Sequence, residues 1–170
     1  MCAAAPETLT ENEIYLAASS DTTTGEVLSW EDVISAVSVP IGSRRLIRIR
    51  LQGRWPNVAR TIARLYSLCD LRPGWDSYGA QSVQPEIIES VARWIPALLQ
   101  PSTPEPAVVP QVRGGIQLEW HRNGIDLEIY AESPTNISFA VEDLNTGQTV
   151  EAPLSNNLGL LRGWIARISG

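Results

Sequence analysis

Four side chains of types that bind cations or move protons crowd one short stretch of this 170-residue chain: Glu119, His121, Asp126 and Glu128. Carboxylates and an imidazole gathered within two strand pairs can ligate a divalent metal or share acid–base work. Whether they gather depends on spacing. Glu119 and His121 are two apart, as are Asp126 and Glu128, and Asn123-Gly124 lies between the two pairs. Two-residue spacing puts side chains on one face of a strand. Asn-Gly flanked by alternating runs is the strongest short-range hairpin signal, because both residues tolerate the positive φ of a type I′ turn. That turn sets Arg122 opposite Ile125, Trp120 opposite Leu127, Leu118 opposite Ile129 and Ile116 opposite Ala131. The other face then pairs His121 with Asp126, Glu119 with Glu128 and Gln117 with Tyr130.

The first of these faces is apolar and requires a cover. The second sets two carboxylates directly across a ladder, where they repel unless water or a cation answers them. His121 is the only histidine, and no helical ligand motif accompanies it. The expectation is therefore a solvated outer face with no cofactor and no catalytic constellation. A small metal-dependent enzyme is the alternative, and its ligands would be Glu119, His121, Asp126 and Glu128. No Gly-x-Ser-x-Gly elbow occurs, and Gly114-Gly115 opens a strand rather than a phosphate-binding helix.

A second cluster is Gly74-Trp75-Asp76-Ser77-Tyr78-Gly79-Ala80, between two helical patterns. Trp75 and Tyr78 supply large rigid contact surface, and an Asp in a turn accepts nearby amides. The expected arrangement is a staple between helices, with Trp75 packed inward and Asp76 capping local N–H groups. Tyr78 is left as a candidate for partner contact. This loop, the Pro-started helix after it, Val108-Val109-Pro110, and Gly114-Gly115-Ile116-Gln117-Leu118-Glu119-Trp120-His121 together resemble a family of small bacterial and phage-borne proteins. Members share a GWDxxGA loop and a GGxxLEW strand, and the likeness covers residues 56–132. That family has no assigned reaction, so the resemblance implies that the motifs occur together and implies no catalytic role.

The elements that must position these residues follow from periodicity. Residues 1–28 are weakly patterned and are expected as a flexible N-terminal arm with Ile14-Tyr15-Leu16 as its one anchor. Residues 29–170 are expected as a single α+β domain. Ser29 to Asp32 suggests a capping box and a short helix ending before Val39-Pro40. Residues 44–52 alternate as a strand, with Arg44, Leu46, Arg48 and Arg50 on one face. Pro56 opens a helix to about Leu71, and Pro85 opens another that Pro96 bends or closes. Pro101, Pro104, Pro106 and Pro110 mark an extended connector. Strands near 137–142 and 149–152 flank the turn Asn145-Thr146-Gly147, and Asn156 or Asn157 caps a final helix. The fold class is α+β: an antiparallel β-meander with helices packed on one face.

Composition narrows the function classes. The chain is 44% hydrophobic, carries six tryptophans and has a net charge of −6. That balance argues against a general nucleic-acid or membrane-surface binder. No residue is lysine, so all 13 basic residues are arginine. Cys2 and Cys69 lack metal or redox spacing and are expected as reduced thiols in the cytoplasm. No leader and no membrane-spanning run is expected. The leading expectation is a non-enzymatic protein-binding accessory module, either a subunit of a larger assembly or an inhibitor or antitoxin-like partner. Its contact residues would be Arg44, Arg48, Arg50, Trp75 and Tyr78, with the arm contributing. A nucleic-acid accessory protein using the arginines between Arg44 and Arg64 is the remaining alternative and is not favoured.

Overall fold

The hairpin read from Asn123-Gly124 is the centre of the fold. In a computed structural model of the chain, β5 (Ile116–Arg122) and β6 (Ile125–Ala131) pair antiparallel in the register derived above, residue for residue. The structure describes residues 56–170 in full, and residues 10–16, 35–41 and 45–51 by their backbone. Asn123 has φ 56° and Gly124 φ 69°, the two positive angles of a type I′ turn. The meander is completed by β4 (Ala107–Pro110) on one side and by β7 (Ile137–Asp143) and β8 (Gln148–Pro153) on the other. All neighbours in the order β4-β5-β6-β7-β8 are antiparallel.

The face holding Ile116, Leu118, Trp120, Leu127 and Ile129 is the buried one, continued by Phe139 and Val141 of β7. Three helices cover it: α1 (Pro56–Ser67), α2 (Pro85–Leu98) and α3 (Leu158–Ser169). Each presents residues at helical spacing to one common core, such as Val58, Ile62 and Leu65 of α1 or Leu161, Ile165 and Ile168 of α3. A 3-10 turn, Leu68–Asp70, closes α1 and carries Cys69 half-buried against the core. Asn157 stands at the head of α3 but does not cap it; its side-chain amide donates to the Pro153 carbonyl at 2.8 Å.

Two expected elements differ. The proline-rich connector contains a strand, since β4 begins at Ala107, and the part before it is anchored rather than merely extended. Asn57 donates to the carbonyls of Gln100 and Thr103 at 2.7 and 2.8 Å, and the Trp120 indole N–H donates to Pro104 O at 2.8 Å. The helix expected to run up to Val39 gives way to β2 (Ser35–Ile41). Ser-Ala-Val-Ser-Val alternates, and Pro40 is tolerated because β2 is an edge strand. The capping-box residues Ser29 to Asp32 lie outside the described residues.

β2 pairs antiparallel with β3 (Arg45–Leu51), and β1 (Thr10–Leu16) pairs parallel with β3, giving a separate three-stranded sheet in the order β1-β3-β2. The anchor Ile14-Tyr15-Leu16 thus belongs to a strand in register with Ile49, Arg50 and Leu51. β2 runs alongside α1, and β1 alongside α2. Among the described residues, no helix is long and apolar enough to cross a membrane.

Trp120 is 3% exposed and its N–H is satisfied, so Trp120→Ala removes packing and orphans Pro104 O. The variant should lose about 3–5 kcal/mol of unfolding free energy in urea titrations. A second expectation concerns Asp143, whose side chain has no solvent exposure and bonds to Arg167. That guanidinium, helped by the Asn145 amide, holds the Asp143 carboxyl down at about 2, against the usual 3.8. A folded-state pKa below the unfolded one stabilises above about pH 3.8, and this contribution is lost as pH falls towards 2. Thermal melts should show the wild-type Tm dropping across that window, and a smaller drop in Asp143→Asn.

Candidate functional site

Two regions collect the singled-out residues, and they have different chemistry. The first is the loop between α1 and α2. Its Asp76 carboxylate accepts the backbone N–H groups of Tyr78 and Ala80, each at 2.9 Å, and these bonds hold its pKa below the ordinary value. Gly74 N–H donates to Ala80 O at 2.7 Å, so the loop closes on itself. Trp75 folds back, half-buried, with its indole N–H on Gln81 O at 3.1 Å. Ser77 is held at φ 66°, a conformation that costs a non-glycine residue free energy and persists only where neighbours impose it. Asp76 thus caps local N–H groups, while Trp75 bonds back onto its own loop and is not among the side chains packed on the core. Tyr78, at the loop's tip, is 94% exposed.

The loop is clamped to the start of the hairpin. Gln81 N–H donates to Val112 O at 2.9 Å and Gln84 N–H to Gly114 O at 3.2 Å. Gly114 sits at φ 84°, and a Cβ there would lie 2.8 Å from Ser82 O. This close approach is the physical reason for a glycine at that point. The two motifs that stand 34 or more residues apart in the chain are thus one structural unit, GWDSYGA packed on the Gly-Gly that opens β5.

The second region is the outer face of the sheet. Glu119 and Glu128 stand directly opposite, as do His121 and Asp126. Among the described residues, a phenol and an imidazole answer the facing carboxylates. The Tyr130 hydroxyl donates to Glu128 Oε2, and His121 Nε2 lies 3.7 Å from Glu119 Oε2. Burial and then the bond to Glu128 push the Tyr130 phenol up to about 12. His121 Nδ1 lies 2.9 Å from Asp126 Oδ1, and this bond foremost raises the imidazole pKa above its usual 6.5. Glu142 and Glu151 belong to the same face: Glu142 is in register with Asp126, and Ala140 carries the register from Glu128 to Glu151. Extending the alternation through the Asn145-Thr146-Gly147 turn would have placed both. Among the described residues, no three His, Cys, Asp or Glu side chains converge as a metal site.

The backbone of Arg48 and Arg50 belongs to the other sheet. Arg48 and Arg50 lie in β3, in register with Glu13 and Tyr15 of β1, while Arg44 lies outside the described residues. The arrangement in which this strand joins the sheet of Glu119 and Glu128 does not occur. β5 and β6 have both ladders occupied by meander neighbours, and β3 is flanked by β1 and β2. Farther along the same arginine run, Arg60 pairs with Glu105, and Arg64 reaches Glu105 at 3.5 Å. Two of the charges proposed for phosphate tracking are therefore already engaged.

Because its folded-state pKa is raised, His121 should contribute stability below about pH 6.5 that fades as pH rises through the folded value. Its ring protons, followed by NMR, should titrate with a midpoint above 6.5, and Asp126→Asn should bring that midpoint down.

Compared with family models, with curated proteins and with solved structures, the chain matches none. Functional inference therefore rests on its own residues.

Proposed function

We propose that this chain is a non-enzymatic protein-binding module, an accessory subunit or an inhibitor-like partner of another factor, and that Tyr78 is its principal contact. The observation that carries the reading is the exposure of a large aromatic at the tip of a loop with internally satisfied hydrogen bonds. An exposed tyrosine on a mobile loop would lose entropy on binding. Here Asp76, Ser77 and the clamp to Val112 fix the backbone beforehand, so most of that cost is already met in folding. Tyrosine supplies broad contact area with few rotatable bonds, which is why it is enriched among residues that dominate interface energies. Val112, on the turn clamped to Gln81, is a second exposed apolar side chain, 59% open to solvent.

The acidic sheet face gives less support to an enzyme. Its imidazole is bound to one carboxylate and near another, and one of its opposed glutamates accepts a phenol hydrogen bond. An activated water or nucleophile needs a free base oriented at an enclosed site, and this face is open.

Co-purification with a tagged full-length chain at native expression tests the proposal. A protein retained in stoichiometric amount should be lost, by at least about tenfold in retained quantity, from Tyr78→Ala. Melting of that variant should match the wild type, because Tyr78 touches little of the fold. Retention unchanged by Tyr78→Ala, or nucleic acid as the tightly held species, would overturn it.

A further inference from the structure

The two edges of the five-stranded sheet are built differently. β4 is four residues long, ends in Pro110 and follows Pro104 and Pro106, and Arg64 lies against the Pro106 carbonyl. Short length and prolines blunt an edge. β8 is six residues long, and among the described residues no strand pairs with its outer side. The direction of its free groups follows from Pro153. That residue faces Ser138 in the ladder, has no N–H to exchange, and gives its carbonyl to Asn157. Backbone groups alternate sides along a strand. The N–H and C=O of Thr149 and Glu151 therefore point outward with those of Pro153, and both residues are exposed.

The chemistry beside that edge is one-sided. Asp126, Glu128, Glu142 and Glu151 line a groove of about 350 Å³ on the outer face of β6, β7 and β8. Among the described residues, the only cation paired with any of them is His121, on Asp126. On the opposite face of β8, Val150 and Ala152 pack against the core yet stay half-exposed. A strand laid along β8 would place alternate side chains over carboxylates and over these apolar residues.

The geometry points to β8 as a docking edge for an extended segment of a partner protein in which arginine or lysine alternates with β-branched residues. Main-chain bonds to Thr149 and Glu151 supply the attachment, and the alternation supplies the selection. A second copy of this chain is a poor occupant, because edge-to-edge pairing sets the Glu142 and Glu151 face of one beside the same face of the other. None of the Trp75 to Tyr78 loop takes part, so this edge and the Tyr78 contact stand or fall separately.

The test uses the full chain and two fluorescein-labelled peptides, Thr-Arg-Val-Arg-Val-Arg-Val-Thr and its glutamate counterpart, followed by fluorescence anisotropy. The arginine peptide should bind, and more weakly as salt rises. The double variant Glu142→Gln/Glu151→Gln should weaken binding about three- to tenfold. Thr149→Pro removes an outward N–H without touching the β7 ladder, so it should abolish binding at unchanged Tm. Hydrogen exchange on the wild type should show protection of the Thr149 and Glu151 amides when peptide is added, whether or not the proline variant folds. Tyr78→Ala should leave peptide affinity unaltered. Equal binding of the glutamate peptide, absence of protection at Thr149 and Glu151, or a wild-type dimer that Thr149→Pro dissociates would overturn the assignment.

Discussion

The fold hangs on the turn at Asn123-Gly124, where three separate parts of the chain meet. The Asn145 side chain donates to Asn123 O at 3.1 Å, and Leu144 N–H donates to Gly124 O at 2.8 Å, which ties the β7–β8 turn to the β5–β6 turn. Gly124 is favoured by its φ of 69°, and a Cβ there would also push the Asn145 amide from its place. On its other side, Asn123 Nδ2 donates to Arg167 O and Ile168 O, at 3.3 and 3.1 Å. These are among the last carbonyls of α3, which have no partner inside the helix. Arg167 completes the node, paired with the buried Asp143 and stacked 4.4 Å from the Trp164 ring centre. A one-residue slip at this turn would exchange the faces of the sheet, bringing Glu119 and Glu128 under the helices.

From that register follows the division of labour between the two faces. The inner face receives all three helices and most of the core. The outer face keeps its carboxylates in view of water, with Tyr130 and His121 moderating the closest contacts. What the molecule offers outward is an exposed aromatic at one place and an acidic, open-edged sheet at another.

Much of this was legible in the sequence, because the strongest signals were local. Asn-Gly between alternating runs determines a turn and its register by backbone sterics alone, and Pro56 and Pro85 mark helix starts through their missing N–H. The segment from Ser35 to Ile41 was obscured because Pro40 reads as a breaker unless the strand is known to be an edge, and edge position is a tertiary fact. The strand at Thr10–Leu16 was equally hidden, since its parallel partner β3 lies beyond an intervening strand. The role of Asp143 was illegible for a similar reason: its arginine arrives from α3, 24 positions later. For the Asp76 cap, local Asx chemistry was enough, whereas the clamp from Gln81 to Val112 joins segments that only the fold brings together.

The order of elements has a consequence for how the chain is made. α1 and α2 precede the five-stranded meander they cover, so at the ribosome apolar residues such as Ile62, Leu65, Ile88 and Ile95 emerge before the sheet that buries them is made. At ordinary elongation speeds the wait for β5 to β7 lasts roughly several seconds, far longer than helix formation itself. During that interval the surfaces open to the helices are each other and the strands made before them, β1 to β3. Once Asn123-Gly124 leaves the exit tunnel, the hairpin can close in microseconds by order of magnitude and give both helices their template. Nascent chains stalled before Ile116 should therefore be the aggregation-prone species, and those stalled after Asp143 the ones able to collapse into the core.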